Sequence, residues 1–268
     1  MNVDILEFQE IIWQKGRELF RDMPWRTDTR PYYVMVSEIM LQQTQVDRVV
    51  PKFDAFIERF PTVQDLSKAS LGEVLQMWSG LGYNRRAKFL HEAAIKIMNE
   101  YSGVFPETEK ELVSLPGVGV NTAGAILAYS FNQPSIFIET NIRTVYFYHF
   151  FLEREEVSDV ELRAVVEATV DSEHPRQWYW AMMDYGSYLK RQGIGQNKKS
   201  RHYKKQSPLK GSVREVRGQI LKLLTTDDFE VQEMRMQLAA DERFDSALAS
   251  LEKEGLVAKT GQMFHLKR

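Results

Sequence analysis

Apolar residues recur three and four apart through most of the chain, a spacing that predicts helices. Ile5, Leu6, Phe8, Ile11, Ile12, Leu19 and Phe20 predict an amphipathic helix over residues 3–20, closed by Met23-Pro24-Trp25-Arg26. The same period predicts helices near 33–45, 47–59, 65–68, 71–78, 84–101 and 108–114, with breaks at Phe60-Pro61-Thr62 and Ser79-Gly80-Leu81-Gly82. An Ala/Gly-rich helix follows at 121–131, an aromatic one at 141–152, and two more at 159–170 and 176–190. Strand-like alternation is hard to find in this stretch, so the first 190 residues read as all-α.

The pattern then changes. Residues 191–210 form a basic, apolar-poor segment carrying Arg191, Lys198, Lys199, Arg201, His202, Lys204, Lys205 and Lys210. It reads as a linker, either a solvated loop or a source of phosphate contacts. Helical spacing returns at 212–224, 230–239 and 242–254, followed by a hairpin of 256–259 and 262–266 around Thr260-Gly261. Three helices and a two-stranded wing predict a small winged-helix-like domain over 211–268. Such modules bind DNA or mediate protein contacts; Glu252 and Glu254 do not resemble a groove-reading face, and both uses stay open.

Composition narrows the chemistry. Of 268 residues 43% are hydrophobic, enough for real cores, and the net charge is -2. A nucleic acid would therefore have to be held by local clusters and backbone groups rather than by a generally basic surface. The chain has no cysteine, which removes disulfides and thiolate-held zinc or iron–sulfur clusters. No charge-free apolar run approaches the roughly twenty residues of a membrane span; the expectation is a soluble, intracellular protein with no membrane partner.

One stretch combines a backbone device with an evident ligand: Leu115-Pro116-Gly117-Val118-Gly119-Val120-Asn121-Thr122-Ala123-Gly124. Two glycines ahead of a small-residue helix give positive φ and close approach, so backbone N–H groups converge on a phosphate at the helix N-terminus, where the dipole favours its charge. This reads backbone rather than sequence. Eighteen positions after Asn121, Glu139-Thr140-Asn141 places a carboxylate at the start of another helix.

Pro24-Trp25-Arg26, the run from Val36 to Val46, Trp78-Ser79-Gly80-Leu81-Gly82-Tyr83 and the hairpin occur in the order in which they occur in MutY-type adenine DNA glycosylases, and residues 5–190 resemble that branch of the helix-hairpin-helix superfamily. The resemblance implies a six-helix domain with the hairpin, 27–134, against a second domain made from 1–26 and 135–190, with double-stranded DNA containing a mismatch or damaged base as partner. It implies cleavage of the N-glycosidic bond of a flipped adenine opposite guanine or 8-oxoguanine. Thymine or uracil excision on the same fold, and an inactive lesion-binding protein, are the competing readings. Such a reaction builds positive charge on the sugar and negative charge on the leaving base, so one acid that donates a proton and one ionised acid serve it.

By the resemblance Glu38 is the proton donor, burial among apolar neighbours keeping its proton available. Glu139 stands where the family has aspartate, one methylene longer, with its position at a helix N-terminus favouring the ionised form; Asn141 is its hydrogen-bond neighbour. Asn121 occupies the position where bifunctional relatives of the endonuclease III type carry a Schiff-base lysine, and an amide cannot form that adduct. Leu41, Gln42 and Gln43 form the wedge that fills the gap left by the flipped nucleotide, Thr44 binds DNA beside them, and Tyr83 is the aromatic beside the opposite base. Arg26 reaches the flipped nucleotide or makes a surface salt bridge. Leu115, Gly117, Val118, Gly119 and Thr122 contact the DNA backbone. Asp184 precedes the family's four-cysteine loop, whose cysteines are replaced here by the basic run; the chain matches the clusterless branch, with no cofactor except a monovalent cation at the hairpin carbonyls. Residues 207–268 are too short and too helical for the Nudix-like domain typical of MutY enzymes. The resemblance further implies a monomer and, in a prokaryote, a cytoplasmic, nucleoid-associated setting.

Overall fold

The computed structural model describes residues 4–195 and 208–267; most of the expected basic linker lies outside the described residues. The predicted helices form close to their expected bounds: α1 Ile5–Leu19, α3 Pro31–Leu41, α4 Val46–Arg59, α5 Val63–Lys68, α6 Leu71–Trp78, α7 Arg85–Glu100, α8 Glu109–Val113, α9 Val120–Phe131, α10 Thr140–Phe150, α11 Asp159–Thr169 and α12 Pro175–Arg191. A further short helix, α2 Pro24–Thr27, starts at the proline expected only to end α1; proline at a first helical position costs no hydrogen bond. Starts are set by side-chain caps such as the reciprocal boxes Thr62/Asp65, Ser70/Glu73 and Ser158/Glu161.

By contact the chain divides into two compact units, which partition it differently from the sequence-based domains. The described part of the first comprises residues 4–38, 107–114 and 118–195. Its centre is aromatic: Phe8 of α1 lies 5.3 Å from Tyr146, 4.9 Å from Phe150 and 6.1 Å from Trp178, ring centroid to centroid. Helix α12 is its spine and packs against α1, α9 and α10. The approach is close because two glycines permit it: a Cβ on Gly16 would sit 2.6 Å from the Ala181 Cβ, and one on Gly186 would sit 2.2 Å from the Asn141 carbonyl oxygen. Helix α9 joins this unit because its Ala/Gly run, buried from Thr122 to Tyr129, packs on α12.

The second unit comprises 39–106, 115–117 and 208–267. Phe53, Phe56, Phe60, Trp78, Leu90 and Ile97 form the core of its α4–α7 portion. The C-terminal portion consists of α13 Val213–Leu223, β1 Phe229–Glu230, α14 Val231–Gln237, α15 Arg243–Lys253, β2 Val257–Thr260 and β3 Met263–Leu266. The hairpin forms at Thr260-Gly261 as expected, but β3 is central: it pairs antiparallel with β2 and with the two-residue β1, in the order β1-β3-β2. The C-terminal segment belongs by contact with α4–α7 rather than standing apart. Lys88 Nζ donates to the Glu254 carbonyl at 2.6 Å, and a Cβ on Gly72 would lie 3.4 Å from Leu266 Cβ.

Candidate active site

Glu38 lies near the end of α3, on a turn otherwise sunk in the core: Met35, Val36, Ser37, Ile39 and Met40 are all fully buried and Glu38 itself is half-buried. Desolvation pushes its pKa well above the usual carboxyl value; the charge of Glu139 pushes it further and Arg26 opposes both. Glu139 is the N-cap residue of α10 and is also half-buried. Its pKa is raised too, by desolvation. Desolvation works against the preference of a helix N-terminus for the ionised form. The charge of an ionised Glu139 holds the proton on Glu38, an arrangement suited to one proton donor and one carboxylate.

Tyr129 of α9 faces the same pair. Burial, then Glu38, then Glu139 keep its phenol protonated. Its ring stacks on Trp180 at 6.4 Å and meets Phe137 edge-on at 5.9 Å. Sequence reading passed over this tyrosine because it sits in a run that reads as core.

Arg26 is neither a free cation nor a surface ion pair. It is 8% exposed, and its guanidinium donates to Asp184 at 2.7 and 3.1 Å and to the Arg21 carbonyl at 3.0 Å, between the rings of Phe20 and Trp180. Arg21 Nε also donates to the 1%-exposed Asp184, at 2.6 Å. The charge of Arg26, held in place by Asp184, favours the ionised form of Glu38.

Asn121 acts on backbone. Its Nδ2 donates to the Ile138 carbonyl at 3.2 Å and its Oδ1 accepts from the Ile138 N–H at 3.3 Å, so one amide clamps the residue preceding Glu139. Asn141, expected beside Glu139, turns its Oδ1 to Lys190 Nζ at 3.2 Å.

In the hairpin only Gly117 uses the left-handed backbone expected of both glycines, with φ of 78°. A Cβ there would meet Phe89 at 2.8 Å. Gly119 is extended, φ -88°, and serves as N-cap of α9; nothing lies within 4 Å of its Cβ position, which leaves the first turn of α9 open to an approaching group. Leu115 and Val118 are buried anchors, and Thr122 is buried in the first turn of α9.

In the second unit Gln43 and Tyr83 both carry left-handed backbone, φ 55° and 48°. Such strain in non-glycine residues costs about 1 kcal/mol or more and concentrates at functional sites. Gln42 Nε2 donates to the Gly117 carbonyl at 3.4 Å. Leu41 ends α3 half-buried beside them.

Arg86, which sequence reading missed, organises this region. Its buried guanidinium donates to the carbonyls of Ile39, Met40 and Gln42 at 2.7–2.8 Å, and to Thr44 Oγ1 and the Gly82 carbonyl at 3.1 Å. It satisfies the open C-terminus of α3 and ties it to the turn bearing Tyr83. Desolvation lowers its pKa to about 10. Arg86→Ala strands three carbonyls and should cost about 3 kcal/mol in chemical denaturation; Arg86→Lys, without the planar fork, should recover less than half. Wild-type stability in the alanine variant would show that water replaces the guanidinium.

Residues 36–167 match the family model for HhH-GPD superfamily base excision DNA repair proteins. Over 170 residues the chain is 35% identical to the adenine DNA glycosylase of Buchnera aphidicola subsp. Baizongia pistaciae, covering 63% of this chain and 48% of that protein. It is 44% identical over 126 residues to the adenine DNA glycosylase of Mycolicibacterium smegmatis, 47% of this chain and 43% of the relative. The chain thus spans about half the length of these curated relatives or less. Among solved structures it is similar to a thermostable thymine-DNA glycosylase, with TM-score 0.63 and 26% identity over 68% of this chain and 86% of that one. A DNA-bound endonuclease III shares the fold, with TM-score 0.59 and 19% identity over 77% and 91%. Residues 36–167 thus form a domain of the HhH-GPD superfamily of base excision DNA repair proteins.

Proposed function

We propose that this chain is a monofunctional DNA glycosylase that hydrolyses the N-glycosidic bond of an adenine mispaired with guanine or 8-oxoguanine. The reading rests on the buried surroundings of Glu38 and Glu139, where desolvation raises both carboxyls and the charge of Glu139 adds to the rise at Glu38. Glu38 protonates the purine as the bond from C1′ to the base breaks, and the electron pair leaves with the base. Glu139 offsets the positive charge on the sugar until water adds to C1′. Asn121 has no amine and is engaged with Ile138, so no Schiff base forms there.

The hairpin, Gln42, Gln43, Thr44, Leu41 and Tyr83 hold a kinked duplex, and the enzyme acts as a monomer at the nucleoid of a prokaryotic cytoplasm. No described helix is long and apolar enough to cross a membrane. An iron–sulfur cluster has no donors here, since the chain has no cysteine. A monovalent cation at the hairpin carbonyls belongs to the same proposal and would appear as tighter duplex binding in potassium than in tetramethylammonium.

The test is single-turnover incubation with A:8-oxoG, A:G, T:G and U:G duplexes, then alkaline cleavage. Strand breaks at adenine, abolished by Glu139→Gln with duplex affinity kept, are expected. Breaks at T:G or U:G alone would move the substrate to a pyrimidine. Tight binding without breaks would make the chain a lesion-binding protein, and a borohydride-trapped adduct would overturn the monofunctional assignment.

A further inference from the structure

Tyr83 is exposed at 38% on a turn whose Gly80 and Gly82 have φ of 92° and 75°. An exposed aromatic in strained backbone is costly unless it is held for a purpose. Here it is held. The Arg86 guanidinium lies 5.4 Å from its ring centroid and 5.3 Å from that of Trp78, a fixed cation under the ring. Around the turn the chain, acidic overall, gathers positive charge: Arg48 bonds the Gly80 carbonyl, Arg85 is 61% exposed, and Arg214 Nη1 donates to the Tyr83 hydroxyl at 3.4 Å. Glu254 is occupied by Arg217 at 2.7 Å, with Arg85 at 3.9 Å.

Arg214 comes from the first turns of α13, 131 residues from Tyr83 in sequence. Its presence is not incidental, because the C-terminal segment is seated on α6 and α7 by the Lys88–Glu254 bond, the Arg85–Glu254 pair at 3.9 Å and the close approach of Leu266 to Gly72. A guanidinium at the rim of a stacking ring has a defined complement. A base laid on Tyr83 presents its edge to Arg214, and a fork of donors matches an edge of acceptors. Guanine offers O6 and N7. Adenine and cytosine offer an exocyclic amine, which would face Arg214 donor to donor. 8-Oxoguanine keeps O6 as an acceptor but carries a proton on N7, so it takes one hydrogen bond from the guanidinium where guanine takes two.

We propose that the C-terminal segment is part of the base-reading surface, with Arg214 donating to the keto edge of the guanine-type purine orphaned when its partner is flipped, while Tyr83 stacks on that purine. The inference rests on the DNA glycosylase reading, and its test needs no catalysis. The full-length chain is titrated with duplexes carrying a tetrahydrofuran abasic analogue opposite G, 8-oxoG, C or A, at several salt concentrations. Wild type should prefer G and 8-oxoG, and Arg214→Ala should reduce that preference about tenfold while leaving the melting temperature unchanged. Arg214→Lys, keeping charge without the fork, should recover affinity but not preference. A uniform loss across all four duplexes, with a salt slope shallower by about one, would make Arg214 a phosphate contact and overturn the assignment. Unchanged affinity and preference would remove the segment from recognition. Absence of excision by wild type on true substrates would instead count against the glycosylase reading alone.

Discussion

Glu38→Gln should abolish base excision while leaving the protein more stable than wild type at high pH. The amide cannot donate the proton, and loss of a positioned general acid costs about 10²–10⁴ in rate. Stability follows from the direction of the shift. Glu38 holds its proton in the folded state above the ordinary carboxyl value, so between that value and its raised pKa the unfolded chain ionises while the native protein does not. The native state binds more protons, and stability therefore falls as pH rises through that window. Glu139, also raised, adds to the fall. Glutamine does not titrate. Its variant should match wild type near pH 4 and exceed it by several degrees in melting temperature near pH 8, about 2–4 °C for each 1 kcal/mol in a chain of this class. In wild type the excision rate should decline with pH as Glu38 loses its proton. Equal melting temperatures across the range would show that the acid pair does not share a buried environment, and an undiminished rate would remove Glu38 from the chemistry.

Helices were legible because each buries one face, and the burial of Phe8 and Ile12 or of Val49, Phe53 and Phe56 is written in the spacing of those residues. The hairpin was legible because its glycine lies where a side chain would strike Phe89. What resisted reading was identity set by distant partners. Arg86 looks like a solvent-facing arginine on an amphipathic helix until Ile39, Met40 and Gln42 turn their carbonyls to it, more than forty residues away in sequence. Nothing in the local pattern pairs Arg26 with Asp184, 158 residues apart, yet the two are buried together as an ion pair. Tyr129 stands in an aliphatic run, and its relation to two glutamates depends on packing between α9 and the segment before α10. The two-residue β1 is too short to leave a period. Glu139 was placed by the motif, but its ionisation belongs to burial that no local pattern encodes.

The same long-range logic makes Gly186→Ala the most damaging single methyl that these contacts predict. Gly186 lies inside α12 between Tyr185 and Ser187, where helix propensity alone would favour alanine by up to about 1 kcal/mol. A Cβ there would sit 2.2 Å from the Asn141 oxygen, 2.6 Å from its carbonyl carbon and 2.8 Å from its Cα. All three are backbone atoms, so no rotamer can yield, and the start of α10 must move away from α12. Asn141 is two residues from Glu139 and holds Lys190, so the displacement is delivered to the carboxylate. Overpacking of this kind costs about 1–3 kcal/mol or more, and a shift near 1 Å at a reacting group costs about a hundredfold in rate. The variant should melt lower and, at a temperature where it remains folded, excise its base about a hundredfold more slowly with duplex affinity little changed. Gly218→Ala, in open space on α13, is the matched control and should do neither. If Gly186→Ala retained the wild-type rate, Glu139 would be held in place by the Asn121 clamp alone; a wild-type melting temperature as well would mean that α10 and α12 separate at no cost.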